Sequence, residues 1–268
     1  MVVYAAPRLA DSTMTPGPAE RAALEHDSPQ AAEHRSRYFH AAPYVAGKEV
    51  VDIACGVGSG ASILRDAGAR GVIGFDLSWD ALLQCKPRQR VLFCQGDGTR
   101  LPLRDGMCEV VTSFETVEHI PDYDAFLGEL RRILRPGGTL VLSTPNALHT
   151  KPVNGVPRNP FHVREFTPHE LGDALRAHFD SVDLVGQRPA PAFRPCPYWE
   201  GPEPPPRTRG EQMVALLWKV AARLPRALRE PLWRAWRGVS FHPGERDFVY
   251  ERDGIEHAHV LVAVCTRG

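Results

Sequence analysis

Short apolar runs alternate with stretches of helical periodicity through the middle of the chain. The apolar runs are rich in Val, Ile, Leu and Phe and have the length of buried strands. They predict β-strands at 49–53, 71–76, 91–95, 110–114 and 139–143. Helical periodicity between them predicts helices at 61–67, 79–84 and 123–134. Strands that alternate with helices in this way form a parallel sheet covered on both faces, so the predicted class is α/β.

The alternation is less regular on both sides of this region. Residues 20–44 have a helical pattern that Pro29 is expected to interrupt, and Arg135-Pro136-Gly137-Gly138 is expected to stop the preceding helix and turn the chain. Segment 145–166 contains four prolines and three asparagines, which predicts a long ordered loop. Thr167, Pro168 and Glu170 then form a capping box at the start of a helix.

The last third of the chain contains fewer strand patterns. We predict a strand at 181–185 and a proline-dense linker or surface segment at 188–210. Residues 211–237 predict two short helices broken near Pro225 and Pro231, and residues 259–265 predict a final strand. Residues 1–19 bury too little apolar surface to offset ordering entropy, which predicts a disordered tail. The rest, 20–268, is predicted to form one domain, with a helical cap at 20–46, a core at 47–146 and a substrate-side loop and insertion at 147–258.

Composition narrows the class of protein. The 268 residues are 43% hydrophobic, and 32 basic side chains balance 32 acidic ones, so no overall field favours nucleic acid or an anionic membrane. The six cysteines form no C-x-x-C pair, which argues against a zinc site of the usual spacing, and we expect no metal. No secretory signal or 18-residue apolar stretch is present, which predicts a cytoplasmic protein.

The loop after the first predicted strand carries the strongest chemical signal. Residues 52–60 have the sequence DIACGVGSG, with glycines at 56, 58 and 60 in front of a predicted helix. A glycine has no Cβ, so a ligand can approach the backbone closely, and we predict a cofactor at this loop. The alternative is a tight strand-to-helix turn without a ligand.

Aspartates at successive strand ends favour the cofactor. Asp76 closes the second strand, where doubly wound folds place a carboxylate that accepts hydrogen bonds from ribose hydroxyls. Asp97 and Gly98 close the third strand, where a carboxylate could accept from an adenine amino group beside a flat ring. Gly56 and Gly58 also satisfy a dinucleotide fingerprint, but Asp52 in front of the loop is a poor neighbour for a pyrophosphate and suits a cationic group.

Five motifs together resemble the class I methyltransferases. They are residues 50–60, Gly74-Phe75-Asp76-Leu77-Ser78, Gln95-Gly96-Asp97-Gly98, Phe114-Glu115-Thr116-Val117-Glu118-His119-Ile120 and Leu134-Arg135-Pro136-Gly137-Gly138-Thr139-Leu140. The resemblance covers about 34–146. It implies S-adenosylmethionine as cofactor and a Rossmann-like sheet of seven strands, with helices on both faces and a helical insertion before the last strand. That last strand is antiparallel in the family, and 259–265 is the candidate for it.

The resemblance also implies a cofactor site, residue by residue. It places the methionine part near the glycine loop, the ribose and adenine at the next two strand ends, and the sulfonium above the fourth. Ala54 stands where the family commonly has glycine, so its methyl group narrows that contact. Tyr38 lies in a segment that resembles a helix closing over the cofactor, or it is a packed aromatic on a surface helix. The predicted cofactor-binding residues are Tyr38, Asp52, Ala54, Cys55, Gly56, Gly58, Asp76, Leu77, Asp97, Gly98, Phe114, Glu115 and His119.

Two histidines are candidates for proton transfer. The sulfonium already makes the methyl group electrophilic, so the protein must mainly hold an acceptor in line, but a hydroxyl acceptor must also lose its proton. Histidine as a residue type titrates in a range that suits this step. The candidates are His119, which otherwise packs the cofactor floor, and His162, in the irregular loop. His162 and Arg164 are also predicted to bind substrate. Arg164 and Glu165 contact polar substrate groups or pair with each other.

The segment 211–238 combines apolar residues at helical spacing with several arginines. An amphipathic cap packed on the core with a solvated basic face is one interpretation. A lid whose arginines bind a phosphate or carboxylate of the substrate is another, and attachment to a membrane surface is a third.

These observations predict a methyltransferase that acts on a small molecule, with oxygen favoured over nitrogen as the acceptor atom. A natural product or sugar-like acceptor is expected, because the chain lacks a basic groove or stacking platform for nucleic acid. A nicotinamide oxidoreductase and a protein that binds S-adenosylmethionine without transfer are the alternatives. We expect no nucleic-acid partner and no stable membrane association, and a homodimer stays open.

Overall fold

The computed structural model describes residues 28–193 and 208–268. The predicted tail at 1–19 lies outside these residues. So do the first residues of the helix predicted at 20–44 and most of the proline-dense segment predicted at 188–210.

Among the described residues, eight strands form one sheet. In chain order they are β1 (Glu49–Ile53), β2 (Gly71–Asp76), β3 (Val91–Gln95), β4 (Cys108–Phe114), β5 (Leu134–Pro145), β6 (Ser181–Pro189), β7 (Phe248–Glu251) and β8 (Val260–Thr266). Their order across the sheet is β3-β2-β1-β4-β5-β8-β6-β7. The first five strands are parallel, and β8 runs antiparallel between β5 and β6. The antiparallel strand predicted at 259–265 is therefore confirmed.

Eight α-helices lie in the described part of the chain. They are α1 (Pro29–Val45), α2 (Ser59–Asp66), α3 (Trp79–Leu82), α4 (Tyr123–Ile133), α5 (Ala147–Thr150), α6 (Pro168–Arg176), α7 (Arg209–Ala221) and α8 (Arg226–Arg237). The capping box at the start of α6 is confirmed, since Thr167 and Glu170 bond to each other's backbone N–H. One turn of helix, α5, lies inside the predicted loop 145–166, and the Asn146 side chain caps it.

Two apolar cores cover the two faces of the sheet. Alternate residues of a strand point to opposite faces, so Val50 belongs to one core and Val51 to the other. Helices α1 and α2 pack on the Val50 side, and α4 and α6 pack on the Val51 side. The predicted α/β class with helices on both faces is confirmed.

The sheet has one more strand than predicted. The four residues of β7 pair antiparallel with β6, from Gly186 opposite Glu251 to Pro189 opposite Phe248. A strand this short carries almost no periodicity, and its pairing depends on a partner about 60 residues earlier in the chain. The prediction of seven strands was wrong for this reason.

The turn predicted at Arg135-Pro136-Gly137-Gly138 is also different in the structure. Helix α4 ends at Ile133, and β5 begins at the next residue and includes these four positions. Leu134 pairs with Cys108, and the register shifts before Val110 pairs with Thr139. Gly137 has φ of 75°, which accommodates the irregularity inside the strand.

Pro29 and Pro231 differ in their effect on the helices. Pro29 stands at the start of α1, where its missing N–H costs nothing, and the extended Ser28 caps the helix, so α1 begins where the interruption was predicted. Pro231 lies inside α8, which continues past it to Arg237. The buried ring of Trp233, two residues later, packs edge-on against Phe241 and holds the second part of the helix in place. Of the two breaks predicted within 211–237, the one near Pro225 is confirmed and the one near Pro231 is wrong.

The parallel strands bring their carboxyl ends to one edge of the sheet. We call this the carboxyl edge: it is formed by the ends of β1 to β5, and by the end of β6, which runs in the same direction. Ligands of open α/β sheets bind at such an edge. The glycine loop and the loop 146–166 both start there.

Candidate cofactor and acceptor site

The loop between β1 and α2 has an unusual backbone. Ala54, Gly56 and Gly58 have φ of 59°, 55° and 77°, in the left-handed region that favours glycine. Ala54, the departure from the family pattern, is exposed and adopts this conformation despite its Cβ. Cys55 beside it is buried, with Sγ 3.8 Å from the carbonyl oxygen of Gly56.

Asp76 fixes this loop to the end of β2. Its Oδ2 accepts a hydrogen bond from the Gly56 N–H at 2.8 Å, and its Oδ1 accepts from the Ser78 N–H at 2.8 Å. A carboxylate offers about four lone-pair positions, so these bonds are compatible with further donors. The half-buried Leu77 follows, and its carbonyl accepts from the Gln95 side chain at 2.9 Å.

Some glycines of the loop leave room for neighbouring side chains, and one faces open space. A Cβ on Gly60 would lie 1.9 Å from Cζ of Tyr38, and one on Gly58 would lie 2.5 Å from Cζ of Phe93. A Cβ on Gly56 would meet no atom within 4 Å. Gly60 and Gly58 therefore serve packing, whereas Gly56 faces open space at the carboxyl edge.

Asp52 is buried, with no exposed surface. Its carboxylate accepts from the Thr112 hydroxyl at 2.7 Å and from the Tyr38 hydroxyl at 3.4 Å. Burial raises its pKa to about 7, although these two hydrogen bonds act in the opposite direction. Strand β1 directs this side chain into the interior beside Thr112 of β4.

Asp97 and Gly98 lie at the end of β3, as predicted. Contacts with neighbouring residues of the protein already explain why an aspartate and a glycine stand there. Asp97 is exposed, and its Oδ1 accepts from the N–H and the hydroxyl of Thr99 at 2.9 and 2.8 Å. A Cβ on Gly98 would lie 2.8 Å from the Phe126 ring and 3.2 Å from Ile53. The packing of Phe126 alone therefore explains this glycine.

The end of β4 supplies an aromatic ring and a carboxylate. Phe114 is buried and packs edge-on against Tyr38, with ring centroids 4.8 Å apart. Glu115, with φ of 52°, accepts from the Ser143 hydroxyl at 2.7 Å and lies 3.5 Å from the Arg37 guanidinium. Tyr38 thus contacts both Asp52 and Phe114, and Glu115 follows Phe114 in the chain; their role in cofactor binding stays a prediction.

Arg37 anchors α1 over this group. Its guanidinium is buried, donates to Gln187 of β6 at 2.7 Å and pairs with Glu33 at 3.3 Å. Gln187 in turn donates to the Glu33 carbonyl and the Ser36 hydroxyl, each at 2.9 Å. Burial raises the pKa of Glu33 to about 8, partly offset by Arg37.

The loop 146–166 is tied to the segment that follows β4. Nδ1–H of His119 donates to the carbonyl of Phe161 at 2.9 Å, and the carbonyl of Glu118 accepts from the N–H groups of Val163 and Arg164. The rings of His119 and His162 meet edge to face, 4.9 Å apart. The two predicted histidines are therefore in contact.

His162 is held in one tautomer. Oδ1 of Asn159 accepts from the Phe161 N–H at 3.0 Å, so its amide nitrogen is the atom 2.9 Å from Nε2 of His162. Since that amide donates, Nε2 carries no proton, and Nδ1–H donates to Glu165 at 2.7 Å. Burial opposes ionisation of Glu165, but bonds from His162 and Thr150 outweigh it and lower its pKa.

Arg164 does not pair with Glu165. Its guanidinium lies 4.9 Å from the Phe166 ring centroid and 5.2 Å from that of Tyr123, and it contacts Glu170 at 3.4 Å. The alternative in which Arg164 and Glu165 pair with each other was therefore wrong. The substrate-binding role of Arg164 stays a prediction.

Glu118, His119 and His162 are the candidate ligands for a divalent cation among the described residues. Their ligand atoms lie within 4.8 Å of one another. Oε2 of Glu118 accepts from the Thr144 hydroxyl at 2.9 Å, whereas Oε1 is buried without a hydrogen-bond partner in the described chain. The sequence predicted no metal here, because its reasoning depended on cysteine spacing.

Several residues of the site were missed from the sequence. Thr112 and Gln187 lie inside strands and look like ordinary strand residues, so only the fold reveals their partners. Asn159 belongs to the segment that contains His162, and a polar residue three positions before a candidate base was the signal that could have identified it.

Comparisons with known proteins agree with this geometry. Residues 51–142 match a family model described as a methyltransferase domain. A protein of Mycolicibacterium smegmatis named "Probable S-adenosylmethionine-dependent methyltransferase" is 38% identical over 155 residues, which cover 57% of this chain and 60% of that protein. Over residues 51–142 the chain is therefore similar to the class I S-adenosylmethionine-dependent methyltransferases. S-adenosylmethionine is its cofactor, and the nicotinamide alternative is not retained.

Two further comparisons concern the fold and a relative's activity. A fatty-acid O-methyltransferase of the same organism is 31% identical over 158 residues, covering 56% of this chain and 57% of the relative. A methyltransferase structure from Archaeoglobus fulgidus has a TM-score of 0.57 at 17% identity, covering 90% of this chain and 95% of its own. The chain thus spans about 60% of the length of the curated relatives it matches.

No helix among residues 28–193 and 208–268 has both the length and the apolar character needed to cross a bilayer.

Substitution of Gly60 by alanine should affect stability, whereas substitution of Gly56 by alanine should affect cofactor binding. Gly60→Ala drives a methyl group into Tyr38 and should lower the free energy of unfolding by about 1–3 kcal/mol. The methyl group of Gly56→Ala meets no atom, so only the strain of positive φ should lower the free energy of unfolding, by roughly 1–2 kcal/mol or less. This variant should instead weaken binding of S-adenosylhomocysteine. Urea unfolding and calorimetric titration measure the two effects. Equal affinity in Gly56→Ala and the wild type would contradict the placement of the cofactor.

The buried carboxyl of Asp52 should make stability fall as pH rises. Its pKa is raised from 3.8 to about 7 on folding, so its contribution is complete below about pH 4 and lost as pH approaches 7. One proton corresponds to ~1.4 kcal/mol per pH unit across that window. Asp52→Asn should flatten the slope by this amount in urea unfolding, and the exposed Asp66→Asn should not. If the free energy of unfolding varied with pH in the same way in Asp52→Asn and in the wild type, the raised pKa of Asp52 would be refuted.

Proposed function

We propose that the protein transfers the methyl group of S-adenosylmethionine to a hydroxyl oxygen of a small molecule. The His162–Glu165 pair carries this proposal: a buried imidazole with an unprotonated Nε2, backed by a carboxylate, beside the carboxyl edge. A hydroxyl must lose its proton during attack, whereas an amine need not. The relative named a fatty-acid O-methyltransferase supports oxygen as the acceptor atom.

The cofactor is proposed to lie along the carboxyl edge from β1 to β4. Gly56, with open space in front of it, and its neighbours in the loop would face the methionine part. Asp76 would accept from the ribose hydroxyls, and Asp97 would lie near the adenine. Phe114 and Glu115 would line the floor under the sulfonium, with His119 behind them.

The proposed reaction needs one base and no other reactant. Bound S-adenosylmethionine would supply the methyl group: the acceptor oxygen would bond to the methyl carbon as the S–CH3 bond breaks, and the electron pair would stay on sulfur as the neutral thioether S-adenosylhomocysteine. The hydroxyl proton moves to Nε2 of His162, and Glu165 stabilises the resulting imidazolium through Nδ1–H. The acceptor hydroxyl would displace the Asn159 amide that now donates to Nε2.

His119 is proposed as a positioning residue. Its Nδ1–H donates a hydrogen bond to the Phe161 carbonyl, and its ring packs edge to face against the His162 ring. Both contacts fix the loop that carries the base. Homodimer formation, a cytoplasmic location and the absence of nucleic-acid partners stay predictions from the sequence.

Cofactor binding is tested by thermal and calorimetric titration. S-adenosylhomocysteine at about 100 times its dissociation constant should stabilise the protein by roughly 2.7 kcal/mol, and NAD should not. Asp76→Ala should lower affinity at least about tenfold, because it removes the ribose acceptor and the anchor of the Gly56 N–H. The exposed Asp80→Ala is the matched control. Unchanged affinity in Asp76→Ala would show that the ribose is bound elsewhere.

Transfer is tested with labelled cofactor and hydroxyl, carboxylate and amine acceptors. His162→Gln should lower kcat by about 10²–10⁴ with unchanged affinity for S-adenosylhomocysteine, because it removes the base but not the cofactor site. Glu165→Gln should lower kcat less. His169→Gln, an exposed histidine on α6, is the control.

Three outcomes would contradict the proposal. Full activity of His162→Gln would mean that the acceptor atom needs no base, as in a carboxylate or amine. Loss of wild-type activity in EDTA, restored by a divalent cation, would assign Glu118, His119 and His162 to a metal instead. Absence of labelled product with every acceptor class, despite cofactor binding, would mean that the site binds without transferring.

A further inference from the structure

Helix α7 is apolar on both its inner and its outer face. On the inner side the Trp218 ring stacks on Phe241, with centroids 5.0 Å apart. On the outer side lies a stripe at helical spacing that includes Leu216 and Val220, which are 63% and 55% exposed. A helix that is apolar all round is normally buried on every side. Here one side is exposed.

Helix α8 turns its leucines outward. Leu228, Leu232 and Trp236, spaced four residues apart, are at least half exposed, whereas Trp233 between them is buried. The inner side instead holds Arg229, whose guanidinium lies 4.4 Å from the Phe241 ring centroid. The interpretation of this segment as an apolar face packed on the core with a solvated basic face was therefore wrong.

Basic residues are frequent in the helix pair that carries these exposed apolar residues. Residues 209–238 contain seven arginines and lysines but only two glutamates, a net charge of +5 in a chain whose formal net charge is zero. The basic residues are Arg209, Lys219, Arg223, Arg226, Arg229, Arg234 and Arg237. Apolar and cationic character are thus concentrated on the same helix pair.

The segment that contains the two helices is connected to the sheet at the carboxyl edge. The chain leaves this edge at Pro189, the end of β6, and returns to it at Phe248, which pairs with Pro189. The guanidinium of Arg237 at the end of α8 donates to the carbonyl of Ala192, just past β6, at 3.0 Å. The segment that contains α7 and α8 therefore starts and ends on the side of the sheet where the cofactor is proposed to lie.

We propose that the outer face of α7 and α8 docks on the surface of an anionic lipid bilayer. This face is defined by Met213, Leu216, Leu217, Val220, Leu224, Leu228, Leu232 and Trp236. Leucines and a tryptophan enter the headgroup boundary while arginines contact the acidic headgroups, as in interfacial amphipathic helices. Such attachment is reversible and differs from the stable membrane association that the sequence led us not to expect.

Charge favours a bilayer over a second copy of the chain. A two-fold interface through this face would bring two segments of net charge +5 against each other, with few carboxylates to pair with the arginines. An anionic headgroup layer supplies the opposite charge. With the proposed function, docking by this face would bring the carboxyl edge close to acceptors that carry an acyl chain.

Vesicle co-sedimentation of the full chain tests the proposal without any methyl transfer. The protein should pellet with vesicles of phosphatidylcholine and phosphatidylglycerol, and much less with phosphatidylcholine alone or at about 0.5 M salt. Leu216→Ser with Leu232→Ser should reduce partition at least about tenfold, since each leucine loses its apolar burial. Leu83→Ser with Leu92→Ser, at 58% and 52% exposure, is the matched control and should bind like the wild type.

Size-exclusion chromatography with light scattering completes the test. A dimer that the Leu216→Ser, Leu232→Ser pair abolishes would assign this face to a second copy and overturn the proposal. So would equal binding to neutral vesicles, or no vesicle binding at all. Transfer to a water-soluble acceptor should be unchanged in the leucine pair, so a failure here is distinguishable from a failure of the proposed function.

Discussion

The buried guanidinium of Arg37 is the interaction on which the site depends. A charge without exposed surface must be paired, and this one reaches Glu33 on its own helix, Gln187 on β6 and Glu115 after β4. Those partners lie on separate elements, so the contacts of Arg37 fix the position of α1 over the sheet. Removing the charge would leave its partners buried without it, and α1 would lose its orientation.

The position of α1 determines the next contacts. Tyr38, one residue after Arg37, is placed where its ring fills the space that Gly60 leaves and its hydroxyl meets the Asp52 carboxylate. Burial under this helix is also what raises the pKa of Asp52. The electrostatic character of the loop therefore depends on a helix that lies before the family motifs in the chain.

Motifs with local causes could be predicted from the sequence, and contacts between distant segments could not. The strands at 49–53, 71–76 and 91–95 end where predicted because apolar runs and turn residues delimit them locally. The family pattern likewise selected Tyr38, Asp52 and Glu115 from three separate segments, and their cofactor-binding role stays a prediction. By contrast, β7, the Thr112–Asp52 bond and the outward leucines of α8 depend on which surfaces meet after folding. Periodicity indicates that a helix has an apolar stripe, but not which way that stripe faces.

The two backbone bonds accepted by Asp76 have a consequence for how the family can vary. One carboxylate both shapes the glycine loop, through the Gly56 N–H, and stands at the predicted ribose position. The loop is thus already ordered before a nucleoside arrives, and little conformational entropy is lost on binding. An evolutionary change at position 76 would alter sugar recognition and loop shape together, so the two properties are constrained to change in concert.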